Sequence, residues 1–363
     1  MAAVSNSVVH LTMRFGSQVL AIGTGVIYER EAKYCIVTAW HNVTGRHPET
    51  LHYLSKTNGV PDNIVVSLAV NRPEIGVIRQ HITLPLADEE KSLFYIHPKN
   101  WPRVDVVAIP FDPKALNRFE YQTSIGTVQG VMSILDSGGE IYSVQRYEVP
   151  NDDLRRQWLE SVDVTEELFI PGYPQNVQDY YAQPVWKRAT IASSVQLEWN
   201  GERKFLVDSA SKSGMSGSPV LYYSPDGVMR FRGTNYRFDQ EVAILAGIYV
   251  GRLGVTKEAD PQIGTVWHLS VIDEIIDSEC FERLPLDMEV SRGELHKAVN
   301  DEFRTCSQGG IDNIRNPEMP SRFYVRNNVL EALQGRAVPT EVLEAVLELV
   351  ENYDGPLASE EGD

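Results

Sequence analysis

The feature that most constrains this chain is a grammar used twice: short runs of β-branched and aromatic residues cut by glycine and polar turns. In the first third they are "SVVHLTMRF" (7–15), "VLAIGTGVIYE" (19–29), "YCIVTAWH" (34–41), "NIVVSLAV" (63–70), "SLFYIH" (92–97) and "DVVAIPF" (105–111). Runs of this length with turns between them specify antiparallel strands in a barrel or sandwich, not strands alternating with helices. A second block repeats the pattern: "EELFIPGYP" (166–174), "PVWKRATIASSVQLEW" (184–199), "RKFLVDSA" (203–210), "SPVLYYS" (218–224), "VAILAGIYVGRL" (242–253) and "IGTVWHL" (263–269). Two barrels of similar construction are the economical reading, and the fold class is all-β.

Residues 112–165 are less regular and read as a connection with an insertion, in which "NDDLRRQWLES" (151–161) is a short surface helix with an Asx cap. "LSVIDEIIDSE" (269–279) has apolar residues at helical spacing and is expected to pack on the second barrel. The tail holds a better helix, "PTEVLEAVLELVENY" (339–353), started by Pro339 and Thr340, with Val342, Leu343, Val346, Leu347 and Val350 along one side. Signals between these helices are weak, and "GPLASEEGD" reads as a frayed end. The expected organisation is therefore a first barrel over 1–125, a connection and insertion over 126–164, a second barrel with its closing helix over 165–280, and a mostly helical extension over 281–363.

Charge and cysteine usage narrow the partners. Fifty acidic residues against 33 basic ones give a net charge of −17, which repels phosphate backbones and anionic lipid. No basic patch opposes it, so nucleic acid and membrane are set aside. The first residues carry no basic leader region and no apolar stretch approaches the length of a membrane span, so export is not expected. Cys35, Cys280 and Cys306 are an odd, widely spaced set, which fits a reducing cytoplasm better than a disulfide framework. The "NVT" at 42–44 is then a chance match to a glycosylation acceptor. His41, His47 and His52 cluster in sequence, but no H-E-x-x-H run and no cysteine pair at ligand spacing is present, so neither metal nor cofactor is expected.

The run "SKSGMSGSPV" (211–220) carries the chemistry. Gly214 and Gly217 allow a sharp turn beside Ser216, and Pro219 fixes the chain as it enters the next strand. Such a turn can point successive N–H groups to one side, and the pair from Gly214 and Ser216 would then form an oxyanion hole. A plain glycine-serine loop is the alternative reading. Because a hydroxyl is a poor nucleophile alone, the functional reading obliges the chain to supply a base and an orienting acid elsewhere. His41 fits the first: it follows an apolar strand at the point where the chain leaves the barrel for its rim. Asp105 fits the second, since it precedes Val106–Ile109 and its burial calls for a hydrogen-bond partner such as His41 Nδ1–H or nearby backbone N–H groups. An α/β-hydrolase elbow needs a helix after the serine and the acid and histidine after that; here a strand follows, and the order is His41, Asp105, Ser216.

Together these segments resemble the trypsin-like (chymotrypsin-fold) serine endopeptidases, and bacterial, non-secreted members in particular. "TAWH" is similar to the T-A-x-H around the base, "DVVAI" to the D-[VIL]-A-[VIL] around the acid with Val107 in place of alanine, and "GMSGSPV" to the G-[DN]-S-G-[GS]-P-V around the nucleophile. The likeness runs over residues 8 to 275. It implies two six-stranded antiparallel β-barrels packed at right angles, with His41 and Asp105 on the first, Ser216 on the second, and an oxyanion hole at Gly214 and Ser216. Met215 stands where digestive members carry an aspartate that pairs with a new amino terminus, so that mode of activation is not expected. Cys35 should face the first barrel's core.

By the same resemblance, Ala210, Ser211, Lys212 and Ser213 line the primary substrate pocket. Val250, Gly251 and Arg252 form its wall and pair with an extended substrate backbone, and Tyr249 is a further contributor. No acid falls at Ala210, which argues against strict cleavage after Lys or Arg; Asp208 shares its strand face. Arg252 either attracts an acidic side chain or sits at the rim in solvent. The implied activity is hydrolysis of a protein or peptide substrate without a cofactor. The rival readings are a catalytically silent peptide-binding module and a protease activated by a partner in a stress or defence assembly, with the helical extension as a site for a partner or for self-association.

Overall fold

The computed structural model describes residues 2–55, 58–88, 91–100, 103–123, 126–253, 261–282, 287–308, 321–333, 336–338 and 340–351. Strands β1 (Val8–Phe15), β2 (Gln18–Arg30) and β3 (Lys33–Thr38) lead into the short helix α1 (Trp40–Thr44). They are followed by β4 (Asn63–Arg72), β5 (Gly76–Pro85), β6 (Val107–Phe111), β7 (Asn117–Thr123), β8 (Gly126–Met132) and β9 (Glu140–Ile141). All nine belong to one antiparallel sheet, ordered β6-β3-β2-β1-β4-β5-β7-β8 with β9 paired to β4.

The first six of these strands are neighbours in that sheet, in the order β6-β3-β2-β1-β4-β5, and stand where the first barrel was expected, with one change of membership. The run at 92–97 is not a strand; its place is taken by β5, where Arg79, Gln80 and His81 interrupt the apolar pattern. Gln80 is nonetheless buried, and its Oε1 accepts a hydrogen bond from Arg72 on β4 at 3.0 Å while its Nε2 is buried without a partner among the described residues. The 92–97 run instead ties the two ends of the six-strand set together. Ala87, just after β5, bridges Ser92, and Tyr95 exchanges backbone hydrogen bonds of 2.8 and 3.1 Å with Ala108 on β6. The stretch read from sequence as irregular also holds the β7–β8 hairpin, whose polar alternation gives little apolar signal.

After the helix α2 (Asp152–Leu159), capped as expected by Asn151 Oδ1 on the Leu154 N–H at 2.9 Å, the second half begins. Its strands are β10 (Glu167–Gly172), β11 (Val185–Ile191), β12 (Lys204–Asp208), β13 (Ser218–Ser224), a small hairpin β14 (Val228–Phe231) and β15 (Thr234–Arg237), β16 (Val242–Arg252) and β17 (Ile263–His268). Six of them close a barrel in the order β10-β11-β12-β17-β16-β13. All six were legible as apolar runs. Helix α3 (Leu269–Ser278) follows directly.

Side chains alternate along these strands, so each sheet has two faces to bury. Ile27, Ile36, Val107 and Ile109 turn into the first core with Leu11, Ile64, Val66 and Ile82. Their neighbours Val26, Tyr28, Val37 and Ala108 turn the other way, onto Leu221, Leu245, Ile248, Trp267 and the α3 residues Val271 and Ile275. That second cluster joins the halves. Cys35 belongs to it, so it lies between the halves and not in the first barrel's core as expected: it shares its strand face with Val37.

The extension consists of β18 (Asp287–Glu289), α4 (Arg292–Gln308), α5 (Ser321–Ala332), β19 (Arg336–Ala337) and α6 (Thr340–Glu351), with β18 and β19 paired in parallel. Its helices share a core of Leu295, Val299, Phe303, Val325, Val329, Leu343, Val346 and Leu347, with Val342 and Val350 packed beside it. Pro339, Asn352 and Tyr353 of the expected tail helix lie outside the described residues.

Candidate active site

The chain leaves β3 through Ala39, whose extended backbone starts α1, and places His41 in the first turn of that helix. The helix ends one turn later at Gly45, whose N–H donates to the His41 carbonyl at 2.9 Å. The histidine backbone is thereby fixed at both ends. Asp105 approaches from the segment before β6 and holds His41 twice: Oδ2 lies 2.7 Å from Nδ1, and Oδ1 accepts the His41 backbone N–H at 2.9 Å.

The Asp105 side chain is 8% exposed and that of His41 18%. Burial alone disfavours the imidazolium, but the Asp105 charge and its hydrogen bond outweigh it, so the His41 pKa lies above its ordinary value. A carboxylate at Nδ1 places the ring proton there, which leaves the lone pair on Nε2. Among the described residues Nε2 has no hydrogen-bond partner.

Ser216 lies in the turn before β13, where Gly214 (φ +92°) and Gly217 (φ +88°) take the left-handed backbone that their sequence positions suggested. The peptide orientations of this turn are set by their carbonyls. The Ser213 carbonyl accepts from Gln175 N–H at 2.6 Å, and the Met215 carbonyl from Ser218 N–H at 3.0 Å. In a trans peptide the N–H points opposite the C=O, so the N–H groups of Gly214 and Ser216 are turned to the other side. Neither donates to a protein acceptor among the described residues. Those of Met215 and Gly217 do, to Lys212 at 3.2 Å and Tyr249 at 2.8 Å.

The turn sits against the histidine segment. Asn42, next to His41, donates its side-chain amide to the Ser216 carbonyl at 2.9 Å, and Thr24 of β2 donates its N–H to the same oxygen at 3.0 Å. The Ser216 hydroxyl itself donates to the Val250 carbonyl at 3.0 Å and not to the imidazole.

Around the serine, Ala210, Lys212 and Ser213 are exposed, whereas Ser211 is buried with its hydroxyl bonded to that of Tyr249, which is 1% exposed. Val250 is buried and Gly251 and Arg252 are half-buried at the end of β16. Asp208 is exposed at the end of β12, paired with Thr190 and Ile263. Met215 is fully buried in the second barrel's core, a thioether where a carboxylate would have been stranded.

Sequence reading missed Thr24 and Asn42. Their signals were a threonine between two glycines inside an apolar strand and an asparagine directly after the candidate base. Among the described residues, no group of three or more His, Cys, Asp or Glu side chains is placed to hold a metal ion, and no helix is long and apolar enough to cross a membrane.

No protein-family model matches the sequence, and no curated protein matches it. Among solved structures, the chain is similar to the Rv3671c protease from M. tuberculosis in its active form, at 12% identity and a TM-score of 0.37 over 78% of this chain and 84% of that one. It is similar to a serine endoprotease from Yersinia pestis at 10% identity and a TM-score of 0.37, over 76% and 62% of the two chains. Protease Anisep from Arthrobacter nicotinovorans gives 10% identity and a TM-score of 0.38, over 75% and 94%.

Proposed function

We propose that this chain is a serine endopeptidase that hydrolyses peptide bonds through an acyl-enzyme, acting on protein or peptide substrates in a reducing cytoplasm. The observation that carries the reading is the double hold of Asp105 on His41, which fixes both the ring's orientation and its tautomer. The Ser216 Oγ attacks the scissile carbonyl carbon while His41 Nε2 takes its proton. The carbonyl oxygen becomes an oxyanion, and the open N–H groups of Gly214 and Ser216 are the donors for it. His41 then protonates the leaving amine, the C–N bond breaks, and water repeats the sequence on the ester. Every group required comes from the chain itself.

One observation favours a second reading, a protein of the same fold that is silent until a partner or substrate engages it. The Ser216 hydroxyl is committed to the Val250 carbonyl and must rotate away from it before it can give its proton to His41. The two readings separate on treatment of the full chain with a fluorophosphonate probe followed by mass spectrometry. The constitutive protease labels on Ser216, loses labelling in Ser216→Ala and hydrolyses a peptide library; a chain that labels only after addition of a partner protein is the second. Labelling and hydrolysis undiminished in Ser216→Ala would remove both.

A further inference from the structure

Thr24 sits in β2 of the first half, fully buried, and every polar atom it carries is engaged at the turn that holds Ser216 or at its supports. Its N–H donates to the Ser216 carbonyl at 3.0 Å. Its Oγ1 donates to the Gly214 carbonyl at 2.7 Å and accepts the Tyr173 N–H at 3.1 Å. Its own carbonyl accepts the hydroxyl of Thr38 at 2.7 Å, on the strand that delivers His41.

Two of these contacts fall on the carbonyls of the very residues whose N–H groups stay open. A carbonyl oxygen cannot move without its residue, so the place of Gly214 relative to the first half is set by the Thr24 hydroxyl, and that of Ser216 by the Thr24 N–H together with the Asn42 amide. The surroundings are shaped to let Thr24 in. A Cβ on Gly172 would lie 3.0 Å from Thr24 Oγ1, and one on Gly217 would lie 2.0 Å from the Thr24 carbonyl. The hydroxyl gives its one proton and receives another, and at 0% exposure bulk solvent replaces neither partner.

We infer that Thr24 is a positioning residue for the reaction proposed above: its hydroxyl and N–H lock the Gly214–Ser216 turn of the second half to the strand beside His41, holding the oxyanion donors in register with the base. This rests on the proteolytic reading of the site. Thr24 touches no substrate atom; it acts through Gly214 and Ser216. Valine has the shape of threonine but puts a methyl group where Oγ1 meets the Gly214 carbonyl at hydrogen-bond distance, which displaces the turn and strands the Tyr173 N–H.

The test compares Thr24→Val, Thr24→Ala and Thr24→Ser with the unmodified full chain. Loss of one oxyanion donor lowers kcat by about 10²–10³-fold, so a displaced but intact pair is expected to lower kcat by roughly 10- to 10³-fold in Thr24→Val and Thr24→Ala. KM should stay within about threefold, because substrate contacts are untouched, and Thr24→Ser, which keeps the hydroxyl, should recover most of the loss. Hydrogen–deuterium exchange of the segment 212–218 is read on the same proteins and is expected to quicken in Thr24→Val and Thr24→Ala but not in Thr24→Ser. That measurement needs no turnover. If the unmodified chain proves inactive, the catalytic reading fails while exchange still decides whether Thr24 holds the turn. Unchanged exchange in both hydroxyl-deleted variants, or unchanged kcat in both alongside an active parent, overturns the inference.

Discussion

Asp105 grips His41 by both its ring and its backbone, one carboxylate oxygen at 2.7 Å from Nδ1 and the other at 2.9 Å from the main-chain nitrogen. The charge that does this raises the imidazole pKa despite burial, which works the other way. His41 must be neutral to act as a base, so activity should fall as pH drops through a midpoint above the ordinary 6.5 of histidine. The stability term runs oppositely: a raised folded-state pKa stabilises the fold fully below the unfolded value and loses that contribution as pH rises through the folded one. In Asp105→Asn the charge is gone and burial remains, so the activity midpoint should move to lower pH. The same change should reduce kcat by about 10⁴-fold, the loss seen when a triad acid is amidated. A pH–rate profile of both proteins checks the sign.

Gly217 packs against the first half with no room for a side chain. A Cβ there would lie 2.0 Å from the Thr24 carbonyl oxygen, 2.2 Å from Thr38 Oγ1 and 3.1 Å from Ala39 N, at φ +88°. Backbone cannot yield by such distances without separating the halves. Gly217→Ala should therefore cost several kcal/mol and leave little soluble protein. Gly233→Ala is the control: φ is +78° but nothing lies within 4 Å, so only the backbone term of about 1–2 kcal/mol applies. Urea denaturation of the two variants should separate them clearly.

What could be read from sequence followed from what each element buries. The strands of the second barrel announce themselves through their apolar and β-branched residues, most plainly in β16, where Val242 to Val250 are all buried. Strand β5 did not, because it carries Arg79, Gln80 and His81, and the bond from Arg72 of β4 to Gln80 Oε1 is one that no local pattern reveals. Candidate site residues were found where chemistry demands an unusual residue, as with a buried carboxylate before β6 or glycines around a serine. Thr24 escaped because threonine is unremarkable in a strand, and its significance lies in partners some 190 residues away.

Glu202 joins three parts of the molecule. Buried in the turn before β12, it accepts from Arg103 at 3.0 Å, pairs with Lys204, and lies 3.5 Å from Arg326 on α5. Burial alone would favour its neutral form, but Arg103, Lys204 and Arg326 together hold its pKa well below the usual carboxylate range. Arg103 stands two residues before Asp105, so the extension is tied by this carboxylate to the segment that orients His41. Glu202→Gln removes the carboxylate these cations share and leaves Arg103 with Glu49 and Arg326 with Glu344, so the cost should fall below the roughly 3–5 kcal/mol of a fully broken buried pair. Limited proteolysis should then cut within 292–351 at protease concentrations that leave the parent intact; equal resistance would mean that the helices are held by apolar contacts alone.

Tyr249 bears on what the site accepts. Its carbonyl takes the Gly217 N–H at 2.8 Å, the next residue on β16 supplies the carbonyl bonded to Ser216 Oγ, and its phenol meets the buried Ser211 hydroxyl. The ring lies over Gly264, where a Cβ would come within 2.4 Å of it, and is buried in the second barrel's core with its hydroxyl at Ser211. If a substrate side chain enters beside Ser216 on this side, it should meet the Tyr249 ring early, and a charged one would find neither cation nor carboxylate in Ser211, Ser213, Gly214, Tyr249 and Val250. Peptide-library cleavage should therefore favour small uncharged residues on the acyl side of the scissile bond. Tyr249→Ala should raise kcat/KM for Leu and Phe peptides relative to Ala peptides by about 10-fold or more, the scale of added hydrophobic burial in a pocket. Tyr249→Phe, which keeps the ring and loses only the hydroxyl, should leave that ratio within about threefold of the parent, because volume and not hydrogen bonding sets the limit.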